Sequence, residues 1–325
     1  MTSLPSRPLI VASHRARVEQ VLSCAIVGLA LAGLIFVLPY AAGYSDYRKT
    51  IFQWLVGVWR NPTWQHGALA PPIAAFLIWR RRRTLAAMEP RPSAWGLLLC
   101  AICLVLYWGG YRGNFYYLGY ASLQLVVAGV VVWLWGWQFF WRMGFAWLIL
   151  GFAWPYLFLE DTLAFKLRHL MVTGTTFLLK AGGLEVLQDG TRITSAIADG
   201  VEQGALFNLN VDGPCSGLRS LFALMMVGAL FGYFRQRSTW RRLLLFALSV
   251  PLAVLANMVR ILVLVLASVA FGSEFAVGRG EEYTSNFHLL TGVAVFIFAL
   301  GGLILSERTL NRLCGKEKPL ALFED

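Results

Sequence analysis

Long apolar runs separated by short clusters of arginine dominate this 325-residue chain. Where such a run crosses a bilayer, every backbone N–H and C=O needs a partner within the protein, so the run must become a helix. Composition agrees: 58% hydrophobic and 14% charged residues cannot furnish a soluble domain with an ordinary surface. The formal net charge of +11 would suit a nucleic-acid binder. The basic residues nevertheless sit between the apolar runs, as the positive-inside rule requires, which leaves nucleic acid without support. Cys24, Cys100, Cys103, Cys215 and Cys314 show no framework spacing, so no disulfide scaffold is expected. The redox-like Cys100–Cys103 pair falls inside an apolar run and reads as two small packing residues. The expected class is an all-α polytopic membrane protein.

In chain order the runs span about 18–40, 67–79, 94–109, 116–135, 143–159, 215–234, 243–271 and 288–306. They give about eight transmembrane helices in a single integral-membrane domain, residues 1–325. The first run lacks a small-residue cleavage site and is read as a retained helix. Arg80 to Arg83 stop the second on the cytoplasmic side, and a cytoplasmic turn at Trp141-Arg142 precedes the fifth. Residues 160–214 read as an extracytoplasmic insertion on the outer face. Within it, Thr162–Leu179 carries Lys166, Arg168 and His169 among apolar positions, as in an interfacial helix. Residues 184–211 alternate like short strands, with turns at Asp189-Gly190 and Asp199-Gly200. This alternation puts seventeen basic residues inside and nine outside, with Arg219 and Arg260 in spans. The bias predicts cytoplasmic N- and C-termini and places the start of the sixth and eighth helices at the outer face.

Three residues in the last three helices draw attention. Asp212-Gly213 reads as a turn and Pro214 suits a first helical position, so Cys215 falls in the first turn of a helix. Unpaired N–H groups and the helix dipole favour a thiolate there. Arg219, four residues on and on the same face, pushes the same way. A cysteine so placed can also be a small buried residue that begins a membrane helix. Arg260 lies well inside an apolar run, which costs roughly 2.5–3.5 kcal/mol on insertion scales and calls for a partner or a task. Asn257 precedes it by three residues on the same face. Counted back from about Phe271, Arg260 lies roughly 16 Å below the outer end. Either the helix ends earlier, near Ala267, or the site is recessed. Among the four histidines, His66 and His288 begin apolar helices at the outer face, and the sixth to eighth helices are expected to bring Cys215, Arg260 and His288 together. Cysteine beside histidine is an arrangement for nucleophilic acyl transfer.

The blocks Pro-Cys-Ser-Gly-Leu-Arg-Ser-Leu at 214–221, Ala-Asn-Met-Val-Arg at 256–260 and His-Leu-Leu-Thr-Gly at 288–292 resemble, in order and spacing, the signature blocks of the exosortase/archaeosortase family. His66-Gly67 with Pro72-Ile73 and the Trp79-Arg80-Arg81-Arg82 stop resembles the family's N-terminal region, so the likeness covers about residues 64–305. It implies a cysteine transpeptidase or thiol protease of the bacterial cytoplasmic (inner) membrane, acting on exported, membrane-anchored proteins. Their C-terminal sorting signal is a short motif, commonly Pro-Glu-Pro, then a membrane helix and a basic cluster. It implies Cys215 as nucleophile, with Arg260 and His288 as the other catalytic residues. Arg219, Asn257 and Ser216 are supporting candidates. Pro214 stands where many members carry an acidic or polar residue. No phosphate-binding glycine loop or metal-ligand cluster is seen, so no cofactor is expected. A transporter or channel binding a solute at Arg260 and Asn257 is the alternative; it lacks an internal repeat and would have no need of a thiol.

Overall fold

The computed structural model describes residues 21–43, 46–155, 165–196, 202–210, 218–279 and 283–317. Their contacts divide into two compact units that meet in sequence after Pro155, where the sequence reading treats the chain as one domain.

In the first unit, helix α1 (Val21–Val37) ends in a π turn over Gly33–Val37. A short antiparallel pair, β1 (Pro39–Ala41) and β2 (Lys49–Thr50), leads into α2 (Ile51–Arg60). That helix starts at Thr50 because Thr50 Oγ1 accepts from Gln53 N while the Gln53 side chain accepts from Thr50 N, a reciprocal capping box. A 3₁₀ turn, Gln65–Leu69, enters α3 (Ala70–Arg80), followed by the short α4 (Arg82–Ala86). Helices α5 (Ala94–Arg112) and α6 (Tyr116–Leu134) form a tight hairpin. A Cβ on Gly96 would fall 2.3 Å from Trp133 N, so only glycine permits this approach. Asn114 turns the hairpin in the left-handed conformation, at φ 60°. Its amide also receives Ala42 N at 2.8 Å and donates to Gly43 O at 3.1 Å. Helix α7 (Trp137–Leu150) completes the unit.

The expected turn at Trp141-Arg142 is corrected here: both residues lie inside α7. The break falls at Gly136, whose φ of 91° and whose approach to Arg91 O, 2.0 Å from where a Cβ would sit, require glycine. The fifth helix therefore begins and ends earlier than its apolar run. Cys100 Sγ meets Val126 O at 3.7 Å and Cys103 is buried, each a free thiol in the α5–α6 packing.

In the second unit, α8 (Phe165–Ala181) buries Met171, Val172 and Leu179 and exposes Lys166 and His169. Strands β3 (Val186–Asp189), β4 (Arg192–Ser195) and β5 (Asn208–Asn210) follow as an antiparallel sheet in that order, with the expected turn falling at Gly190-Thr191, just after the paired Asp189. The other expected turn, Asp199-Gly200, lies outside the described residues. Three long helices carry the rest: α9 (Leu218–Arg235), α10 (Thr239–Phe271) and, after the short α11 (Ser273–Ala276) and the hairpin β6–β7 (Gly278–Arg279, Tyr283–Thr284), α12 (Asn286–Cys314). Helix α10 packs against both α9 and α12. Pro251 does not interrupt it. At 33 residues it is about 50 Å long, and it continues past Ala267, which removes the early end considered from sequence. Its Ile261, Leu264 and Val265 share a core with Met171 and Val172 of α8 and with Ile193 and Leu209 of the sheet.

The described residues are thus predominantly helical, with a few short strands. Helices α5, α6, α10 and α12 are each long and apolar enough to cross a membrane, and α1 is a shorter apolar helix. The protein is a multi-pass membrane protein.

Candidate active site

Helix α10 brings two of the three expected residues into register. Arg260 projects toward α12, where its Nη2 lies 2.9 Å from Nε2 of His288. A guanidinium can only donate, so Nε2 is the acceptor and the imidazole is neutral with its proton on Nδ1. His288 is buried, at 3% exposure. Three contacts fix it at the start of α12. Its N–H donates to Ser285 Oγ at 3.0 Å, so Ser285 is the N-cap. Ser285 Oγ in turn donates to Ala276 O at 3.1 Å, tying the cap to α11. Thr291 Oγ1 donates to His288 O at 2.8 Å. Gly292 faces the guanidinium, 3.5 Å from Arg260 Nη2 to the place its Cβ would occupy. The His-Leu-Leu-Thr-Gly block therefore supplies the ring, a hydroxyl that holds its turn, and room for the arginine.

One turn below Arg260, Asn257 is buried at 2% exposure and faces α9. Its Nδ2 donates to Ser220 Oγ at 2.8 Å and to Ala253 O at 3.1 Å. Arg219, beside Ser220 in the first turn of α9, is exposed. Two adjacent turns of α10 thus link the helix that follows Cys215 to the helix that carries His288 in its first turn. Cys215 and Ser216 lie in 211–217, outside the described residues, together with the expected Asp212-Gly213 turn and Pro214.

A family model described as transmembrane exosortase matches residues 58–305. The chain belongs to that family. The match spans most of the chain and contains the Cys215, Arg260 and His288 blocks as well as His66. No curated protein and no solved structure matches the chain.

His66, the family-like residue of the first unit, sits in the 3₁₀ turn before α3, with its ring 6.1 Å from that of Trp64. Burial pulls its imidazole down to about 4, against a backbone hydrogen bond at Thr63 that works the other way. The adjacent Gly67 fits under Trp59, whose Nε1 donates to Ala153 O at 3.0 Å. His66 is thus a neutral histidine in a packed corner at pH 7. The sequence reading did not single out Ser285, Ser220 or Thr291. A signal existed for the first, since serine three residues before the backbone N–H it caps, ahead of an apolar run, is an N-cap pattern. Ser220 and Thr291 were quoted inside the blocks without a role.

Proposed function

We propose that this protein is a membrane-embedded cysteine transpeptidase or protease that cleaves the C-terminal sorting signals of exported proteins through a thioester on Cys215. Membership of the exosortase family supports the class. The observation that carries the site assignment is the 2.9 Å contact between Arg260 and His288, which joins two of the three blocks in one cluster.

The chemistry follows from what each group can donate or accept. The Cys215 thiol transfers its proton to His288, and the thiolate attacks a peptide carbonyl of the signal. The imidazole has to receive that proton on a nitrogen with a free lone pair, and Nε2 is the one occupied by Arg260. The Arg260 contact therefore opens as His288 becomes imidazolium. The released guanidinium then turns to the carbonyl oxygen, where negative charge develops. Collapse of the intermediate expels the amine, which takes the proton from His288 and leaves a neutral imidazole and a thioester. An amine acceptor would complete transpeptidation, and water would complete hydrolysis. Arg219 adds positive potential at the same face.

The length of α10 supports a site at the outer face, with both termini in the cytoplasm. About 20 apolar residues cross the hydrocarbon core. Counted from Leu243, just after Arg241 and Arg242, that distance ends near Leu262, two residues beyond Arg260. The core that α10 shares with α8 and the β3–β5 sheet straddles that point, with Ile261, Leu264 and Val265 in it and Val254 and Met258 packed against it. A substrate held by its own C-terminal membrane helix delivers the bond just outside that helix at the same height. The test is a co-expressed reporter ending in a short motif, about 20 apolar residues and an Arg/Lys-rich tail, with its C-terminus read by mass spectrometry. Loss of the helix with wild-type enzyme but not with Cys215→Ala is expected. A reporter that keeps its helix while soluble peptides are cut would instead make the protein a general membrane protease.

A further inference from the structure

The α9 face of the seam with α10 carries residues at four-residue intervals, three of them small and one a buried leucine. Ser220, Leu224, Gly228 and Gly232 fall on one face of α9. A Cβ on Gly228 would come 2.9 Å from Ser249 Cβ, and one on Gly232 would come 3.3 Å from Arg242 Cα. Leu224 is buried, at 1% exposure. The seam is therefore close-packed at Gly228 and Gly232, where the absent side chains let the two backbones approach. At the end nearest Cys215 it is fastened by the hydrogen bond from Asn257 Nδ2 to Ser220 Oγ, 2.8 Å long. The Asn257 amide cannot swing away freely, because its second N–H holds Ala253 O.

We infer that Ser220 is a positioning residue: its bond to Asn257 sets the height and rotation of the first turn of α9 against the turn of α10 that carries Arg260, and processing depends on that setting. The inference rests on the proposed catalytic role of Cys215. Cys215 is five residues before Ser220 and Arg260 three after Asn257, so the pin joins the nucleophile-bearing segment to the turn of α10 that carries the arginine. A displacement of about 1 Å at a reacting atom can lower a rate by roughly a hundredfold.

The test uses the full chain in native membranes, with Cys24, Cys100, Cys103 and Cys314 replaced by serine, and two readouts. One is kcat and KM for reporter processing. The other is the rate of Cys215 alkylation by a small neutral reagent against pH, which needs no substrate. Ser220→Ala should lower kcat at least about tenfold, leave KM within about twofold, and shift the alkylation profile. Ser220→Thr, which keeps the hydroxyl, should restore both. A Ser220→Ala enzyme that merely accumulates less, with kcat per folded molecule and the alkylation profile unchanged, overturns the inference. So does a Ser220→Thr enzyme as impaired as Ser220→Ala. Processing by a Cys215→Ala enzyme would refute the catalytic reading instead, while the alkylation profile still decides whether Ser220 sets the surroundings of Cys215.

Discussion

Two of the arginines of helix α10, Arg241 and Arg260, lie nineteen residues apart and are used in opposite ways. Arg241, near its start, is 7% exposed and held by several acceptors. It donates to Gly315 O at 2.9 Å and Cys314 O at 2.6 Å and forms an ion pair with Glu317 at 3.2 Å. Beside it, Arg235 pairs with Glu307 at 3.2 Å. Buried Gln236 and Asn311 also donate to that carboxylate, at 3.4 and 2.8 Å. Positive charge at this end is neutralised by carboxylates and spent on joining α9, α10 and the end of α12. Arg260, by contrast, donates to the ring of a neutral histidine. Its charge is not cancelled by that partner, and the bond is one that a proton on His288 would break. An arginine locked to a carboxylate is a structural tie, whereas a bond from an arginine to an imidazole changes with the protonation of the ring.

The largest effect expected from this contrast is kinetic. Cys215→Ala, Arg260→Ala and His288→Ala should each lower reporter processing by at least about 10²–10³-fold, as losing a nucleophile, an oxyanion donor or a proton carrier does, while the protein still accumulates. Arg260→Lys should rescue little, because an ammonium lacks the planar fork. Arg241→Met should do the reverse: a loss of about 2 kcal/mol in stability, the scale of charge-assisted hydrogen bonds, with kcat per folded molecule near wild type. His169→Ala and Cys100→Ala should process normally. Full activity in Arg260→Ala, or a kcat collapse in folded Arg241→Met, would erase the distinction between the two ends.

How much of this was legible in sequence depends on the range of the forces involved. The apolar runs made the helical character legible, since hydrocarbon leaves the backbone no alternative, though the fifth run lies later in the chain than its helix. The alternation in 184–211 gave the small sheet because each strand has one buried face, seen in Ile193 and Leu209. Arg260 and His288 were legible as a pair because consecutive helices pack together. What escaped was set by contacts between residues distant in sequence. The α6–α7 break was placed at the charged Trp141-Arg142, yet Gly136 decides it by passing close to Arg91 O, 45 residues away. The Asn257–Ser220 bond spans 37 residues. No periodicity announces it, since serine at 220 suits a helix face whether or not an amide waits opposite. The Glu317 contacts were invisible for the same reason: an acid in a basic tail reads as a solvated charge.

The same two ends can be compared from outside the membrane. If both termini are cytoplasmic, exposed Cys314 at the Arg241 end should resist a membrane-impermeant thiol reagent on intact spheroplasts and label fully after permeabilisation. Cys215 should be the one cysteine that can label before it. Labelling of Cys314 from outside would invert the proposed topology and move the Arg260 site to the cytoplasmic face. The readout is peptide mass spectrometry of each modified cysteine.

The smallest effect concerns Glu317, and it tests whether the Arg241 end is held by charge. Hydrogen bonds from Ser238 N, at 3.0 Å, and Arg237 N reach one carboxylate oxygen. The Ser238 bond is the largest influence holding this carboxyl below the usual carboxylate range; partial burial opposes it, and the Arg237 bond, Arg241 and Arg242 reinforce it. A depressed carboxylate contributes its stabilisation above the unfolded-state pKa, near 4.3 for glutamate, and loses it as pH falls through the lower folded-state value. Because water reaches this group, Glu317→Gln should cost under about 1 kcal/mol. Hydrogen exchange at Ser238 offers a sharper reading than global stability. Corrected for the intrinsic pH dependence, protection should be constant from neutral pH down to about 5 and fall only below the carboxylate range. In Glu317→Gln it should be weak at neutral pH and flat with acidification. Undiminished protection in that variant would show that the tail is held by Arg241 and the carbonyls of Cys314 and Gly315 alone, so that charge neutralisation would no longer distinguish the Arg241 end from the Arg260 end.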